Sequence, residues 1–313
     1  MGKRKKKGGH VAIPFLLAFL LAIAGIGGIA SFLFSKLDDD GGGIQQMVSS
    51  NKKPTAEDDF TLLFVLDEAN DHEPLTFLLA RVRPGEKEIM FVGLPKNMLS
   101  VVDGRQDTLS GFYSNGGINN AISAVVNETQ ITPDRYIILN SEGFQKICNI
   151  FGGAYYEVPT GTKGFTDSAE PQYLGPPQIE KLITYPLFDQ GEVERSALTA
   201  DLISDMVNQT NYERIASSMD ANFKTLINMM QTDISALDYD NKKNALKYMY
   251  KYGNTIGVFR VATGTLDEES KVFILDSNFY DGVKEFFEET APTQPPAPAA
   301  ETAPSDAPAE TEE

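Results

Sequence analysis

The hydrophobic pattern is strongest between Ile118 and Pro159, where helix-like and strand-like stretches alternate. Tyr136 to Leu139 reads as a short buried strand, and the amphipathic helix after it stops at Gly152-Gly153. The preceding stretch has apolar residues at helical spacing: Ile118, Ala121, Ile122, Val125 and Val126. This alternation predicts a layered α/β unit at the core of one domain.

The same alternation continues on both sides of that core. Strand-like runs cover residues 60–66, 75–82, 88–94, 255–262 and 272–275. Helical spacing covers residues 178–184, 195–208, 212–230, 240–252 and 281–287. The sequence therefore predicts a three-layer α/β/α sandwich with a central mixed sheet, preceded by one transmembrane helix.

Residues 11–34 form an uncharged, mostly apolar run, which at about 1.5 Å per residue spans a bilayer core of ~30 Å. Lys3 to Lys7 are basic and precede it, whereas Asp38 to Asp40 follow it. The positive-inside rule then predicts a single-pass protein of the bacterial cell membrane, with a cytoplasmic N-terminus and an extracytoplasmic domain. The alternative is a cleaved signal peptide, whose apolar region is usually shorter.

The predicted organisation has five parts. They are a basic cytoplasmic N-terminus (1–10), a transmembrane anchor (11–34), a juxtamembrane linker (35–58), an extracytoplasmic domain (59–288) and a disordered Pro/Ala/Glu-rich tail (289–313). The tail either reaches into a cell wall or is only a solubilising end.

Composition excludes several classes of protein. The net charge of −17 argues against nucleic-acid binding, which needs a positive surface. The single cysteine, Cys148, excludes an intrachain disulfide and a cysteine-based zinc site. The chain has no GxGxxG, P-loop, GxSxG or HExxH motif, and its histidines are His10 and His72.

Two acidic features are candidate sites. Asp67 ends the apolar run at 60–66, where α/β sheets place their ligands, and Asp71 and Glu73 follow it. Such carboxylates can hold a divalent cation, although a solvated acidic loop has the same composition. In the second feature, Glu192 lies three residues before Arg195, which begins a predicted helix. An arginine at the positive end of a helix indicates an anionic partner, and the alternative is an ordinary surface ion pair.

Several segments, in order, resemble the LytR-CpsA-Psr family of cell-envelope proteins. They are FTLLFVLD, IMFVGLPKNMLSV, INNAISAVVNETQITPDRYIILNSEGFQKICNIFGGAYYEVP, YLGPPQIEKLITYPLFDQGEVER and TDIS, beginning at residues 60, 89, 118, 173 and 232. The resemblance implies a transferase that moves a glycopolymer from an undecaprenyl-pyrophosphate carrier to peptidoglycan. It also implies that Mg²⁺ and arginines hold the pyrophosphate, and that an apolar tunnel holds the lipid.

Carried over residue by residue, the resemblance keeps part of that site. Asp67 matches the first metal aspartate, Glu192 stands for an aspartate, Arg195 matches an arginine and Lys96 partly replaces another. The other family positions carry different residues: Glu73 and Leu75 in EPLT, Asn97 after Lys96, Thr184 and Pro186 in place of two arginines, and Thr199 in place of glutamine.

The sequence thus predicts a membrane-anchored protein that binds a polyprenyl-pyrophosphate-linked glycopolymer, or an envelope partner, with weak or no transferase activity. The alternative is an active phosphotransferase that attaches glycopolymers to peptidoglycan with a rearranged site. In that prediction Arg195 and Glu192 are catalytic, and Lys96 and Arg195 bind pyrophosphate. Asp67 would bind Mg²⁺, with Asp71 and Glu73 as further candidate ligands.

Overall fold

The computed structural model of the protein describes residues 53–67 and 74–288. The predicted span at 11–34, the predicted tail and the candidate ligands Asp71 and Glu73 therefore lie outside the described residues. None of the helices within the described ranges is both long enough and apolar enough to cross a membrane.

The described chain alternates strands and helices. The strands are β1 Phe60–Asp67, β2 Pro74–Arg83, β3 Glu88–Leu94, β4 Leu99–Val102, β5 Arg105–Thr108, β6 Arg135–Leu139, β7 Ala154–Tyr156, β8 Gln172–Leu174, β9 Met230–Thr232, β10 Gly257–Val261, β11 Gly264–Asp267 and β12 Val272–Leu275. The α-helices are α1 Leu109–Thr129, α2 Ser141–Phe151, α3 Pro176–Ile183, α4 Glu192–Gln209, α5 Tyr212–Leu226, α6 Ala236–Tyr252 and α7 Phe279–Phe287.

Six strands form the central sheet, in the order β10-β3-β2-β1-β6-β9. Strand β1 runs antiparallel to β2 and parallel to β6, while β10 runs parallel to β3. The sheet is therefore mixed, as predicted. Because β1 and β6 are parallel neighbours, their carboxyl ends lie at the same edge of the sheet.

Apolar side chains fill both faces of this sheet. Leu63 and Val65 of β1 point to the face that α1 and α7 cover, whereas Leu66 belongs to the cluster that α2 to α6 cover. Alternating side chains on a strand point to opposite faces, so one apolar strand serves two cores. Cys148 of α2 is fully buried in the second cluster, and burial raises the pKa of its thiol to about 12.

Glycine allows α4 to lie directly against the sheet. A Cβ atom on Gly93 of β3 would lie 1.8 Å from the carbonyl oxygen of Ser196 in α4. Backbone therefore packs on backbone here, and this contact fixes the first turn of α4 over the sheet. Helix α2 ends at Gly152, as predicted, because this residue adopts a left-handed backbone conformation with φ 103°.

The structure corrects several predicted boundaries. The helix predicted for 212–230 ends at Leu226, because Met230–Thr232 instead pairs with β6 as an edge strand. The helix predicted to begin near Arg195 begins at Glu192, and the one predicted from 240 begins at Ala236. Pairing of β9 depends on a partner far along the chain, which local periodicity does not report.

Candidate functional site

Asp67 lies at the carboxyl end of β1, where the pairing with β2 shifts register. Its residue is 9% exposed, and its Oδ2 accepts a 2.8 Å hydrogen bond from the hydroxyl of Tyr113 in α1. The other carboxylate oxygen, Oδ1, is buried and has no hydrogen-bond partner among the described residues. Burial and the carboxylate of Asp67 raise the pKa of the Tyr113 hydroxyl, so Tyr113 remains a donor.

Arg195 lies in the first turn of α4 and is 5% exposed. Its Nη2 donates to Oε2 of Glu192, three residues earlier on the same helix. The carbonyl oxygen of Arg195 accepts a 2.8 Å hydrogen bond from Oγ1 of Thr199. The Glu192–Arg195 pair is thus partly buried, unlike an ordinary surface pair, and Arg195 already has a carboxylate partner.

Lys96 and Asn97 follow β3 at the same edge of the sheet. The carbonyl oxygen of Lys96 accepts from the backbone N–H of Ser110, at the start of α1. The Lys96 side chain is partly exposed and makes no ion pair with a residue of the described ranges. Asn97 donates to the carbonyl oxygen of Lys271, and its own Oδ1 is buried without a partner.

A cavity of about 650 Å³ lies between the sheet and helices α2, α4, α5 and α6. Its walls are mostly apolar and include Phe64, Leu78, Ala80, Phe144, Met206 and Met219. One end reaches Leu66, Thr76 and Thr199. Leu66 is the residue before Asp67, and Thr199 lies one helical turn after Arg195, so this end of the cavity adjoins the candidate site.

The comparisons with known proteins agree with this geometry. Residues 50–173 match the model of the LytR_cpsA_psr family. The polyisoprenyl-teichoic acid–peptidoglycan teichoic acid transferase TagU of Enterococcus faecalis is 25% identical over 255 residues, which cover 73% of this chain and 82% of TagU. Residues 50–173 therefore belong to the LytR-CpsA-Psr family.

Solved structures share the fold of this family member. A protein from Eubacterium siraeum aligns with a TM-score of 0.65 at 19% identity, covering 75% of this chain and 93% of the other. TagT, in a structure bound to LI-WTA, aligns with a TM-score of 0.57 at 15% identity, covering 76% of this chain and 94% of TagT. At these identities the likeness concerns the fold alone.

Three residues at the substituted family positions have structural roles here. Leu75 packs against the apolar cluster beneath α2 to α6. Thr184 donates a 2.8 Å hydrogen bond to the carbonyl oxygen of Glu180 and ends α3. Thr199 lines the cavity. These side chains contribute to packing and helix ends, and they add no charge at the edge of the sheet.

The described residues contain no group of three His, Cys, Asp or Glu side chains that could hold a metal ion. At the end of β1, Asp67 offers a carboxylate oxygen that has no partner within ranges 53–67 and 74–288. A Mg²⁺ ion takes six oxygen ligands in near-octahedral geometry. Asp67 alone therefore does not fit a resident Mg²⁺ held by protein ligands.

The sequence did not indicate Tyr113 as part of the site. The only available signal was its place five residues after Thr108, the residue whose side chain caps α1. Tyr113 and Asp67 are 46 residues apart in the sequence, and packing of α1 on the sheet brings them into contact.

Proposed function

We propose that this protein is a membrane-anchored, extracytoplasmic binder of a polyprenyl-pyrophosphate-linked glycopolymer that transfers its cargo slowly or not at all. The lipid chain would lie in the cavity, and the pyrophosphate would lie at the edge formed by Asp67, Lys96 and Arg195. The observation that carries this proposal is the apolar cavity, one end of which adjoins Asp67 and Arg195.

The relatives support the class of ligand. TagU of Enterococcus faecalis is named for a polyisoprenyl-teichoic acid donor and a peptidoglycan acceptor, and TagT is named as bound to LI-WTA. We take a polyprenyl-linked teichoic acid as the donor class and peptidoglycan as the partner. The apolar run at 11–34 supports the anchor and the extracytoplasmic side.

The charge at the site supports slow transfer. Lys96 and Arg195 supply two positive groups, but Arg195 is paired with Glu192 and Asp67 adds a second negative charge. Phosphoryl transfer depends on neutralising the charge that develops on the phosphate oxygens. If each of three missing arginine contacts supplied about 2 kcal/mol at the transition state, transfer would be slower on the order of ten-thousandfold.

In this proposal, Mg²⁺ would bind only together with the pyrophosphate. A Mg²⁺ ion bound to phosphate oxygens needs one or two protein carboxylates, and Asp67 can supply one of them. When bound, the ion would neutralise part of the phosphate charge. Asp71 and Glu73 remain candidates for further ligands.

The second candidate function is an active phosphotransferase with a rearranged site. Asp67 retains an oxygen without a partner, and the Glu192–Arg195 pair is retained beside the cavity. In this alternative, the Glu192–Arg195 ion pair would open, and Arg195 would bind a phosphate oxygen instead.

One experiment separates the two candidates. The full chain, solubilised in detergent, is given Mg²⁺, peptidoglycan and a radiolabelled polyprenyl-pyrophosphate teichoic acid, beside TagU and an Asp67→Ala variant. We expect retention of the donor with transfer at least a thousandfold slower than that of TagU. Transfer at a rate near that of TagU, lost in Asp67→Ala, would establish the active enzyme instead. Failure to retain the donor would contradict both candidates.

A further inference from the structure

The cavity has a second, polar end at the opposite edge of the sheet. There it is lined by residues that precede β1, that begin β6 and that lie in the first turns of α6. They are Glu57, Asp59, Asp134, Arg135, Asp238 and Lys242. This far mouth lies at the amino ends of β1 and β6, away from Asp67.

Two polar links hold the start of α6 at the far mouth, one to β6 and one to the segment before β1. Nε and Nη2 of Arg135 in β6 donate to Oδ2 and Oδ1 of Asp238 in α6, at 3.2 and 2.8 Å. Nζ of Lys242 donates to the carbonyl oxygen of Glu57 at 2.5 Å. A bidentate arginine–carboxylate pair is geometrically specific, and this one joins two opposite walls of the cavity.

The wall that these links hold is weakly buried. Helices α5 and α6 pack on each other as a hairpin, and α5 packs on α2. In the parts of these two helices at the far mouth, residues 220–226 and 236–244, no side chain is buried, and strand β9 between them is paired with β6. The buried side chains all lie in the other parts of the two helices: Ile215, Met219, Ala245, Met249 and Tyr250.

This half of the hairpin is held together internally. The rings of Phe223 and Tyr239 stack with centroids 3.9 Å apart. Asp220 accepts hydrogen bonds from Tyr239 and from Lys247, at 2.7 and 2.6 Å. Segments with few buried contacts open at low free-energy cost. These links would make residues 220–226 and 236–244 open together, while β9 stays paired with β6.

The cavity is shorter than the lipid that it is proposed to hold. Six residue steps from Phe60 to Leu66 correspond to about 20 Å of strand. An undecaprenyl chain has about 44 carbon–carbon main-chain bonds of ~1.5 Å, so its extended length is on the order of 50 Å. A geranylgeranyl chain, with about 16 such bonds, is about as long as the cavity.

We propose that the far mouth is an exit for the lipid chain, and that residues 220–226 and 236–244 are a lid that the Arg135–Asp238 pair holds closed. This inference rests on the proposed function. The pyrophosphate end of the lipid stays beside Asp67, the first isoprene units fill the cavity, and the remaining units pass out between α6 and the start of β6.

The surroundings of the far mouth suit an emerging apolar chain. Leu237, in the first turn of α6, is 68% exposed, more than any other large apolar side chain of the described ranges. Glu57 of the far mouth precedes β1, and the predicted span at 11–34 lies earlier still in the chain, so the far mouth is at the end of the fold nearest in sequence to the predicted anchor.

The test uses two chain lengths. The full chain in dodecyl maltoside is titrated calorimetrically with undecaprenyl monophosphate and with geranylgeranyl monophosphate. Arg135→Gln removes the pair but leaves the contacts of Asp238 with Ser235 intact. We expect it to bind undecaprenyl monophosphate two- to fivefold more tightly, because less free energy is needed to open the lid, and geranylgeranyl monophosphate unchanged.

Two further variants make the result decisive. Lys243→Gln breaks the Lys243–Asp240 pair within α6, which joins no wall of the cavity, and should change neither affinity. Asn241→Trp narrows the far mouth and should weaken binding of the long chain at least tenfold while the short chain still binds. Equal effects on both chains, or no effect of Arg135→Gln and Asn241→Trp, would overturn the exit. Absence of binding by the unaltered protein would overturn the proposed function itself.

Discussion

The hydroxyl of Tyr113 donates a 2.8 Å hydrogen bond to Oδ2 of Asp67, across the interface between α1 and the central sheet. Tyr113 is itself held by an edge-to-face contact with Phe77 of β2, with ring centroids 5.9 Å apart. The hydrogen bond satisfies one oxygen of a nearly buried carboxylate and leaves Oδ1 for a ligand. Tyr113 therefore orients Asp67 and stabilises its buried charge.

Replacing Tyr113 with phenylalanine should remove this orientation without removing the ring. We expect the free energy of unfolding to fall by about 1.5–3 kcal/mol, because Oδ2 of Asp67 would remain buried without a donor. Urea denaturation measures the change. Tyr155→Phe, at a tyrosine that is 62% exposed, should cost less than 0.5 kcal/mol.

A double-mutant cycle distinguishes this contact from a general packing loss. The Tyr113→Phe and Asp67→Ala changes should be non-additive by more than about 0.5 kcal/mol, because either change alone removes the same hydrogen bond. Additive costs would mean that the hydrogen bond contributes nothing to stability.

Gly93 should not tolerate a side chain. An alanine Cβ would lie 1.8 Å from the carbonyl oxygen of Ser196, so α4 would have to move away from β3. We expect Gly93→Ala to destabilise the fold by more than 2 kcal/mol and to weaken lipid binding, since α4 carries Thr199 and part of the cavity wall. Urea denaturation and lipid titration measure the two effects.

Gly282 offers the matched control for this change. It lies in α7, and apart from the backbone of that helix no atom of the described residues lies within 4 Å of the position that its Cβ would occupy. Gly282→Ala should raise stability by about 0.5–1 kcal/mol, through helix propensity alone. If Gly93→Ala were equally harmless, the close contact between β3 and α4 would not be a determinant of the fold.

Filling the cavity with a larger side chain should block lipid binding without unfolding the protein. Ala80 of β2 lines the cavity and is 1% exposed. We expect Ala80→Phe to weaken binding of undecaprenyl monophosphate at least tenfold, with less than about 1.5 kcal/mol lost in stability. Ala124→Phe, on α1 at the opposite face, enters a close-packed core, so it should cost about 1–3 kcal/mol and leave lipid affinity unchanged in the folded protein. Undiminished lipid binding by Ala80→Phe would show that the lipid lies elsewhere.

Restoring a guanidinium should strengthen the anion site. Lys96→Arg would add a planar, bidentate donor where the sequence has a point charge, and should raise the affinity for inorganic pyrophosphate about three- to tenfold. Isothermal titration at low salt measures this change. Lys181→Arg, on α3 where Nζ donates to the carbonyl oxygen of Gly164, adds the same group elsewhere and should have no effect. Equal gains from both variants would indicate non-specific attraction.

Much of this protein follows from local pattern. The apolar runs that became β1, β2, β3 and β6 were predictable because a strand covered on both faces must be apolar along its length. The position of Asp67 at the edge of the sheet was predictable because a charge that ends such a strand must lie there. The resemblance also located Lys96, Glu192 and Arg195, although it did not indicate how buried Arg195 is.

Other features depended on packing that no local signal reports. Strand β9 pairs with β6, which lies about a hundred residues earlier in the chain. Arg135 pairs with Asp238, which lies 103 residues later. Tyr113 contacts Asp67 only because α1 packs beside the carboxyl end of β1. Periodicity indicates which side of an element is apolar, but it does not indicate what that side contacts.

The sequence by itself therefore determined most strands of the central sheet (β1, β2, β3, β6 and β10), the layered arrangement and the position of Asp67 at the end of β1. Only the tertiary structure decided that the apolar faces of α5 and α6 enclose a cavity instead of a close-packed core. The reason is physical. Apolar residues that line a ligand cavity have the same spacing and composition as residues that fill a core, and the difference lies in the distance between the two walls.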